Sequence, residues 1–169
     1  WTSIERFTIP EHLTCICQNT FSTCYMLKEV EIPIDCDLQT IESCAFEESP
    51  IQSLTISSKL INLEEGWSES LEYLESIKVS PNNPRYCLFD GELLIGKSSL
   101  ENDNFDVIVL CVKNIKKLTI PSFIKIIGHN AFSFCSQLQT IEFTENSELQ
   151  IIDKFAFLSS SIEFLKIPS

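Results

Sequence analysis

Residues 118–143 read LTIPSFIKIIGHNAFSFCSQLQTIEF, and this stretch decides the fold. It is too apolar for a loop, yet neither a helical period nor strict strand alternation fits its whole length. Its apolar residues follow a fixed order instead: an alternating triplet, a proline, two isoleucines three apart, an Ala-Phe pair, a cysteine and a leucine. A fixed order of this length is typical of one unit of an internal repeat.

The triplet recurs along the whole chain, each time with a further apolar residue three positions before it. Its seven copies are at residues 7–9, 30–32, 54–56, 77–79, 118–120, 141–143 and 165–167. Successive copies are 23 or 24 residues apart, except for one step of 41 residues. An alternating triplet is typical of a short strand that turns both flanking apolar side chains to one face.

The second half of the unit repeats as well. Five units continue with a Leu-x-x-Ile-type pair and then a small residue followed by an aromatic ring, which is Phe21, Phe46, Trp67, Phe132 or Phe157. A unit of 23 residues cannot enclose a core alone, so the sequence predicts a stack of such units. We expect an α/β repeat solenoid with a parallel sheet of about seven short strands. The Leu-x-x-Ile segments would return along the far side, with each ring in a short helical or 3-10 turn, stacked on its neighbours.

This order of strand, proline, Ile-Gly, Ala-Phe, Cys and Leu resembles the BspA-like (Treponema pallidum-type) leucine-rich repeat over nearly the whole chain. It is similar in character to the BspA-like surface antigens of trichomonad parasites. The resemblance implies a right-handed leucine-rich-repeat stack, placement at the cell surface or in the secreted fraction, and adhesion to host or matrix proteins. Two features depart from the family pattern, because Trp67 replaces Phe and the Gly of Ile-Gly is present only as Gly128.

The step of 41 residues contains an insertion, which we call the island. It covers residues 80–117 and divides an N-terminal array (1–79) from a C-terminal array (118–169) within one continuous solenoid domain. Asp90-Gly91 between apolar residues predicts a β-hairpin that joins 86–89 to 92–95 through a two-residue turn. Residues 106–112 predict a buried strand that returns the chain to the solenoid. The island is either a projecting recognition element or a splint between the two arrays.

Composition excludes several classes of partner. Twelve basic residues face twenty-four acidic ones, which gives a net charge of −12 and argues against nucleic acid. The charge is uneven: residues 1–77 hold 14 acids and 3 bases (−11), whereas residues 78–169 hold 10 acids and 9 bases (−1). No stretch approaches the roughly 18 apolar residues of a membrane helix, so direct membrane insertion is not expected.

Residues that could carry chemistry are few. His12 and His129 do not recur at matching repeat positions, so both are expected to be surface imidazoles. The Cys-x-Cys at residues 15–17 lacks the Cys-x-x-Cys partners of common zinc sites, so no metal and no cofactor are predicted. The eight cysteines are expected to be mostly free thiols, although disulfides remain open. No acid is framed by a basic or His partner, and we therefore expect no enzymatic activity.

The exposed positions of the predicted sheet are the candidates for partner binding. Those that we single out are Lys78, Lys117, Thr119, Glu142, Phe164 and Lys166. The three lysines and the aromatic ring suit an acidic protein partner. Together with what the family resemblance implies about placement, this favours a protein-binding module of a surface or secreted protein, with a passive spacer or an intracellular scaffold as alternatives. Because both ends lack polar caps, we expect either an internal piece of a longer protein or end-to-end self-association.

Overall fold

The computed structural model of the chain describes residues 3–166, so Ile167, which ends the last predicted triplet, and Pro168, which follows it, lie outside the described residues. The structure is built from short strands joined by turns. The strands in the described part are β1 (Arg6–Thr8), β2 (Cys15–Ile16), β3 (Glu29–Glu31), β4 (Thr40–Ile41), β5 (Ser53–Ile56), β6 (Asn62–Leu63), β7 (Ser76–Val79), β8 (Tyr86–Phe89), β9 (Leu93–Gly96), β10 (Val107–Cys111), β11 (Lys117–Ile120), β12 (Ile126–Ile127), β13 (Thr140–Phe143), β14 (Ile151–Ile152) and β15 (Phe164–Leu165).

Parallel strands form at all seven triplets within the described residues, as predicted. They are arranged in two sheets, β1-β3-β5-β7 and β11-β13-β15. The register places matching apolar residues side by side, with Leu54 opposite Ile77 and Leu118 opposite Ile141. These side chains point inward and are buried, because successive residues of a strand face opposite sides. The prediction of a parallel-strand solenoid is confirmed.

The Leu-x-x-Ile segments return along the far side as a second layer of short strands. One sheet has the order β2-β4-β6 and the other the order β14-β12-β10-β9-β8. Ile16 pairs with Ile41, and both side chains are buried. The core therefore lies between the two strand layers and is shared by neighbouring units, none of which could bury it alone.

The predicted helical or 3-10 turns are wrong, because residues 3–166 contain no helix at all, and hence none that is long and apolar enough to cross a membrane. The small-aromatic segments are successions of turns. In four of the five units, residues two before and two after the ring have positive φ: Asn19 and Thr23, Cys44 and Glu48, Asn130 and Phe134, Phe155 and Ser159. A left-handed residue ends a right-handed helix within one turn. Some backbone N–H groups of these turns form hydrogen bonds with the next layer instead. The Phe132 N–H, for example, donates to the Ala156 carbonyl at 2.8 Å.

The aromatic rings stack in part as predicted. Phe21 lies on Phe46 with centroids 5.8 Å apart and planes 5° apart, and Phe132 lies on Phe157 in the same way. Trp67 occupies a different position relative to the positive-φ residues of its unit. In its unit the positive-φ residues, Gly66 and Ser70, come one before and three after the ring. The Trp67 side chain is still buried, but it enters the core from a neighbouring backbone position.

The island forms the predicted hairpin, with β8 antiparallel to β9. Asp90 and Gly91 have φ of 51° and 77°, as an Asp-Gly turn requires. Phe89 pairs with Leu93, so the turn contains three residues rather than the predicted two, and the second strand begins one residue later. The returning strand is also confirmed: β10 pairs with β9 on one side and runs parallel to β12 on the other.

The island bonds to both arrays. The Asn83 side-chain amide donates to the carbonyls of Ser57 (2.6 Å) and Leu60 (2.8 Å) in the N-terminal array. At the other end, the buried Lys113 ammonium donates to the Ser133 carbonyl at 2.7 Å. These contacts support the splint interpretation, while the domain boundaries at residues 79/80 and 117/118 stay a prediction.

Candidate protein-binding face

The outward side chains of β11, β13 and β15, together with Lys166, form a continuous exposed surface, which we call the C-terminal strand face. Lys117 pairs with Thr140, and Thr140 pairs with Phe164, so these three lie on one row across the sheet. Thr119 pairs with Glu142 on the next outward row. Five of the six predicted binding residues therefore share this face, because the repeat places equivalent positions of successive units side by side.

Charge on the C-terminal strand face is partly neutralised within the face. The Lys117 Nζ lies 2.9 Å from the Glu142 Oε1, and both side chains are at least half exposed. An exposed pair of this kind contributes about 0–1 kcal/mol to stability. Lys166 is exposed and has no such ion pair among the described residues. It lines a shallow pocket of about 300 Å³ with Phe164, Glu142, Ile141 and Phe143.

Lys78 does not belong to this face. It lies on β7, opposite Thr55, in the sheet of the N-terminal array. In that sheet the exposed charges near the first strands pair with one another: Arg6 lies 2.6 Å from Glu29 and 3.5 Å from Glu31. Lys78 thus lies in a different sheet from Lys117, and the joint action of the three lysines stays a prediction. On the C-terminal strand face, Lys166 is an exposed cation beside the aromatic ring of Phe164.

The expectation of a surface imidazole holds for His12, which is exposed, but is wrong for His129. The His129 side chain is only 13% exposed and lies 3.7 Å from Glu65 and 3.8 Å from Glu69. Its ring meets the edge of Phe155 at a centroid distance of 5.6 Å. Sequence reasoning missed these partners because Glu65 and Glu69 belong to a unit on the other side of the island. The imidazole borders a cavity of about 350 Å³ where the island meets both arrays.

A second cluster that the sequence did not predict consists of Cys15, Cys17 and Glu42. The Cys15 sulfur lies 3.8 Å from the Cys17 sulfur and 3.6 Å from the Glu42 Oε1. Burial, together with the Cys17 thiol and the Glu42 carboxylate, raises the pKa of Cys15 to about 12. The signal that could have found this cluster is an acid 25 residues after the Cys-x-Cys, in the matching place of the next unit.

A third cluster is buried at the end of the island. The Lys113 Nζ lies 3.9 Å from the sulfur of Cys135, and Cys111 lies beside both. The hydrogen bond from Cys111 and the Lys113 charge lower the pKa of Cys135 to about 7, while burial lowers the pKa of Lys113. All eight cysteines are thiols in the structure. Because this cluster is fully buried, it can hold the island in place but cannot meet a solute.

Comparison with known structures shows the same fold elsewhere. A leucine-rich cell surface protein from Faecalibacterium prausnitzii is 24% identical, with a TM-score of 0.69 over 89% of this chain and 41% of that one. A leucine-rich repeat protein from Eubacterium ventriosum is 18% identical, with a TM-score of 0.61 over 92% of this chain and 51% of that one. The pneumococcal vaccine antigen PcpA is 20% identical, with a TM-score of 0.62 over 89% of this chain and 47% of that one.

This chain thus spans about half the length of each of these proteins or less. A comparison with curated proteins found no significant match. The profile of the BspA-type leucine-rich repeat region matches six copies over residues 1–89 and 95–169. That profile describes a structural repeat, in agreement with the stacked units and the paired rings. The chain therefore belongs to the BspA-type leucine-rich repeat family.

Proposed function

We propose that the chain is a non-enzymatic protein-binding module that adheres to host or matrix proteins at a cell surface or outside the cell. The observation that carries the proposal is Phe164. Its side chain is 58% exposed on β15, the outer strand of the described sheet β11-β13-β15, beside Lys166 and a shallow pocket. Similar structures include a cell surface protein and a vaccine antigen, which supports placement outside the cell.

The C-terminal strand face has the composition of a protein contact. Binding energy in such contacts concentrates in a few aromatic and cationic side chains surrounded by polar residues that exclude water. Phe164 supplies the aromatic group, Lys166 the cation, and Thr119 and Thr140 the polar surroundings. The lysine favours an acidic segment of the partner, since the Lys117 charge is already met by Glu142.

The test measures binding to immobilised extracellular-matrix proteins, such as collagen and laminin, by surface plasmon resonance. We expect Phe164→Ala to weaken binding at least tenfold, and Lys166→Glu to weaken it and reduce its dependence on salt. Tyr73→Ala is the matched control, because Tyr73 is equally exposed (56%) but lies on another part of the solenoid. Equal losses in all three variants, or no binding by the wild type, would contradict the proposal.

A second candidate function is an intracellular interaction scaffold, and the eight thiols favour it. Disulfides form and persist outside the cell, whereas cytosolic thiols stay reduced. A free-thiol count on denatured protein, taken from its natural source without reductant, separates the two proposals. Fewer than eight thiols would favour the extracellular one.

A further inference from the structure

We propose that Cys15, Cys17 and Glu42 form a binding site for a thiophilic divalent cation, with Zn²⁺ as the preferred ion. The three side chains come from two neighbouring units of the N-terminal array. Cys15 belongs to β2, and Glu42 directly follows β4, which pairs with β2. Their ligand atoms all lie within 4.8 Å of one another, so one ion can reach all three.

The spacing matches tetrahedral zinc. With metal–sulfur bonds of about 2.3 Å, tetrahedral geometry separates two sulfur ligands by about 3.8 Å. The sulfur atoms of Cys15 and Cys17 are 3.8 Å apart. With a metal–oxygen bond of about 2.1 Å, the same geometry separates sulfur from oxygen by about 3.6 Å. The Cys15 sulfur lies 3.6 Å from the Glu42 Oε1. Two edges of the ligand triangle therefore fit without rearrangement of the chain.

Glu42 is held in the orientation that a ligand needs. Its second carboxylate oxygen, Oε2, accepts a hydrogen bond of 2.8 Å from the Gln18 backbone N–H. The Glu42 N–H donates in turn to the Ile16 carbonyl at 3.0 Å, which fixes the two units against each other. Outer contacts of this kind orient a ligand and leave the other oxygen, Oε1, directed at the thiols.

The surroundings favour a cation. Residues 1–77 carry a net charge of −11 (14 acids, 3 bases), which raises the local concentration of cations. Cys17 is exposed, so the fourth position of a tetrahedral ion would open to solvent. Three protein ligands with an open fourth position leave room for water or for a ligand from another molecule. Since the ligands come from two units, a bound ion would cross-link neighbouring layers and raise the stability of the N-terminal array by mass action.

The test uses the metal alone on the full chain, reduced and then freed of reductant under nitrogen. Titration with Co²⁺ reports thiolate coordination through its charge-transfer absorption, and competition with Zn²⁺ gives the zinc affinity. We expect one ion per chain, tighter binding of Zn²⁺ than of Co²⁺, and a higher unfolding midpoint with Zn²⁺ than without it. We expect Cys17→Ser to abolish the absorption and Glu42→Gln to weaken binding at least tenfold. Both positions lie outside the buried core, so both variants are expected to fold.

Cys87→Ser is the matched control, because it removes a half-buried thiol of the island and leaves the three ligands intact. We expect its metal binding and its zinc-dependent unfolding midpoint to equal those of the wild type. The proposal is overturned by a reduced wild type that takes up no ion, by uptake that persists unchanged in Cys17→Ser, or by equal loss in Cys87→Ser.

Discussion

Phe132 and Phe157, which are 25 residues apart in the sequence, stack with ring centroids 5.5 Å apart and planes 4° apart. Each ring thereby covers one face of the other across two neighbouring layers. Phe132 is fully buried, so we expect Phe132→Ala to lower the free energy of unfolding by about 3–5 kcal/mol. Urea unfolding followed by circular dichroism measures the change. Phe123→Ala is the control, because Phe123 is 40% exposed. Equal effects of the two substitutions would argue against the stacked core.

Gly128 lies directly against the island. A Cβ at this position would meet the Ile108 carbonyl oxygen at 2.8 Å, and the Gly128 N–H donates to that same oxygen. We expect Gly128→Ala to cost about 1–3 kcal/mol, because the β10 and β12 backbones would have to separate. Thermal unfolding measures it. The control is Glu64→Ala, at the matching position of another unit, where the neighbouring layer already accommodates a side chain; a loss as large there would contradict the argument.

We expect the buried Cys135 thiol to make stability depend on pH. Its pKa is lowered from 9.0 to about 7, so the folded state binds fewer protons than the unfolded state between these values. The resulting stabilisation is present above pH 9 and is lost as pH falls through 7. We expect the destabilisation caused by Cys135→Ser to grow by about 1–2 kcal/mol between pH 6 and pH 9. Urea unfolding across this range measures it.

Cys87→Ser serves as the control for that experiment. Burial raises the pKa of Cys87, so its contribution is present below pH 9.0 and declines above it. The effect of Cys87→Ser is therefore expected to stay constant or decrease with rising pH. A parallel increase in both variants would point to a general effect of pH on the fold.

The last described layer leaves apolar side chains in contact with water. They are Ile151, Ile152, Phe155, Leu158, Phe164 and Leu165. We expect the 169-residue chain to self-associate with increasing concentration, since such a layer can continue the stack with a second copy. Sedimentation velocity measures it, and Ile152→Lys combined with Leu165→Lys is expected to restore the monomer. A wild type that stays monomeric at every concentration would contradict this expectation.

Those features that repeat in the sequence could be predicted from it. The triplets fixed the strands, their pairing and their inward residues, and Asp90-Gly91 fixed the hairpin. The turns around the rings could not be predicted. Ala131 and Phe132 are both tolerated in helices, so the sequence alone favoured a short helical turn there. In the structure, Asn130 and Phe134 have positive φ, and the Phe132 N–H donates to the Ala156 carbonyl of another layer. Periodicity within one segment carries no information about that bond.

The candidate sites show the same limit. Exposed positions such as Thr119 and Glu142 were found because the repeat itself brings them side by side. The contacts of His129 with Glu65 and Glu69 were missed, since the island separates them in the sequence. The Cys15–Glu42 contact was missed for a related reason: known zinc motifs are recognised by ligands close in sequence, whereas here the third ligand comes from the next unit.

The position of β10 beside β12 bears on how repeat units can be added to or lost from the C-terminal array. Because β10 pairs in parallel with a repeat strand, it meets the C-terminal array just as another unit would. Duplication or loss of whole units farther out then leaves that junction untouched, as each unit contacts only its neighbours. Units can thus be added to or lost from the solenoid without a change at the island, and the length of the C-terminal strand face can vary while its junction with the island stays constant.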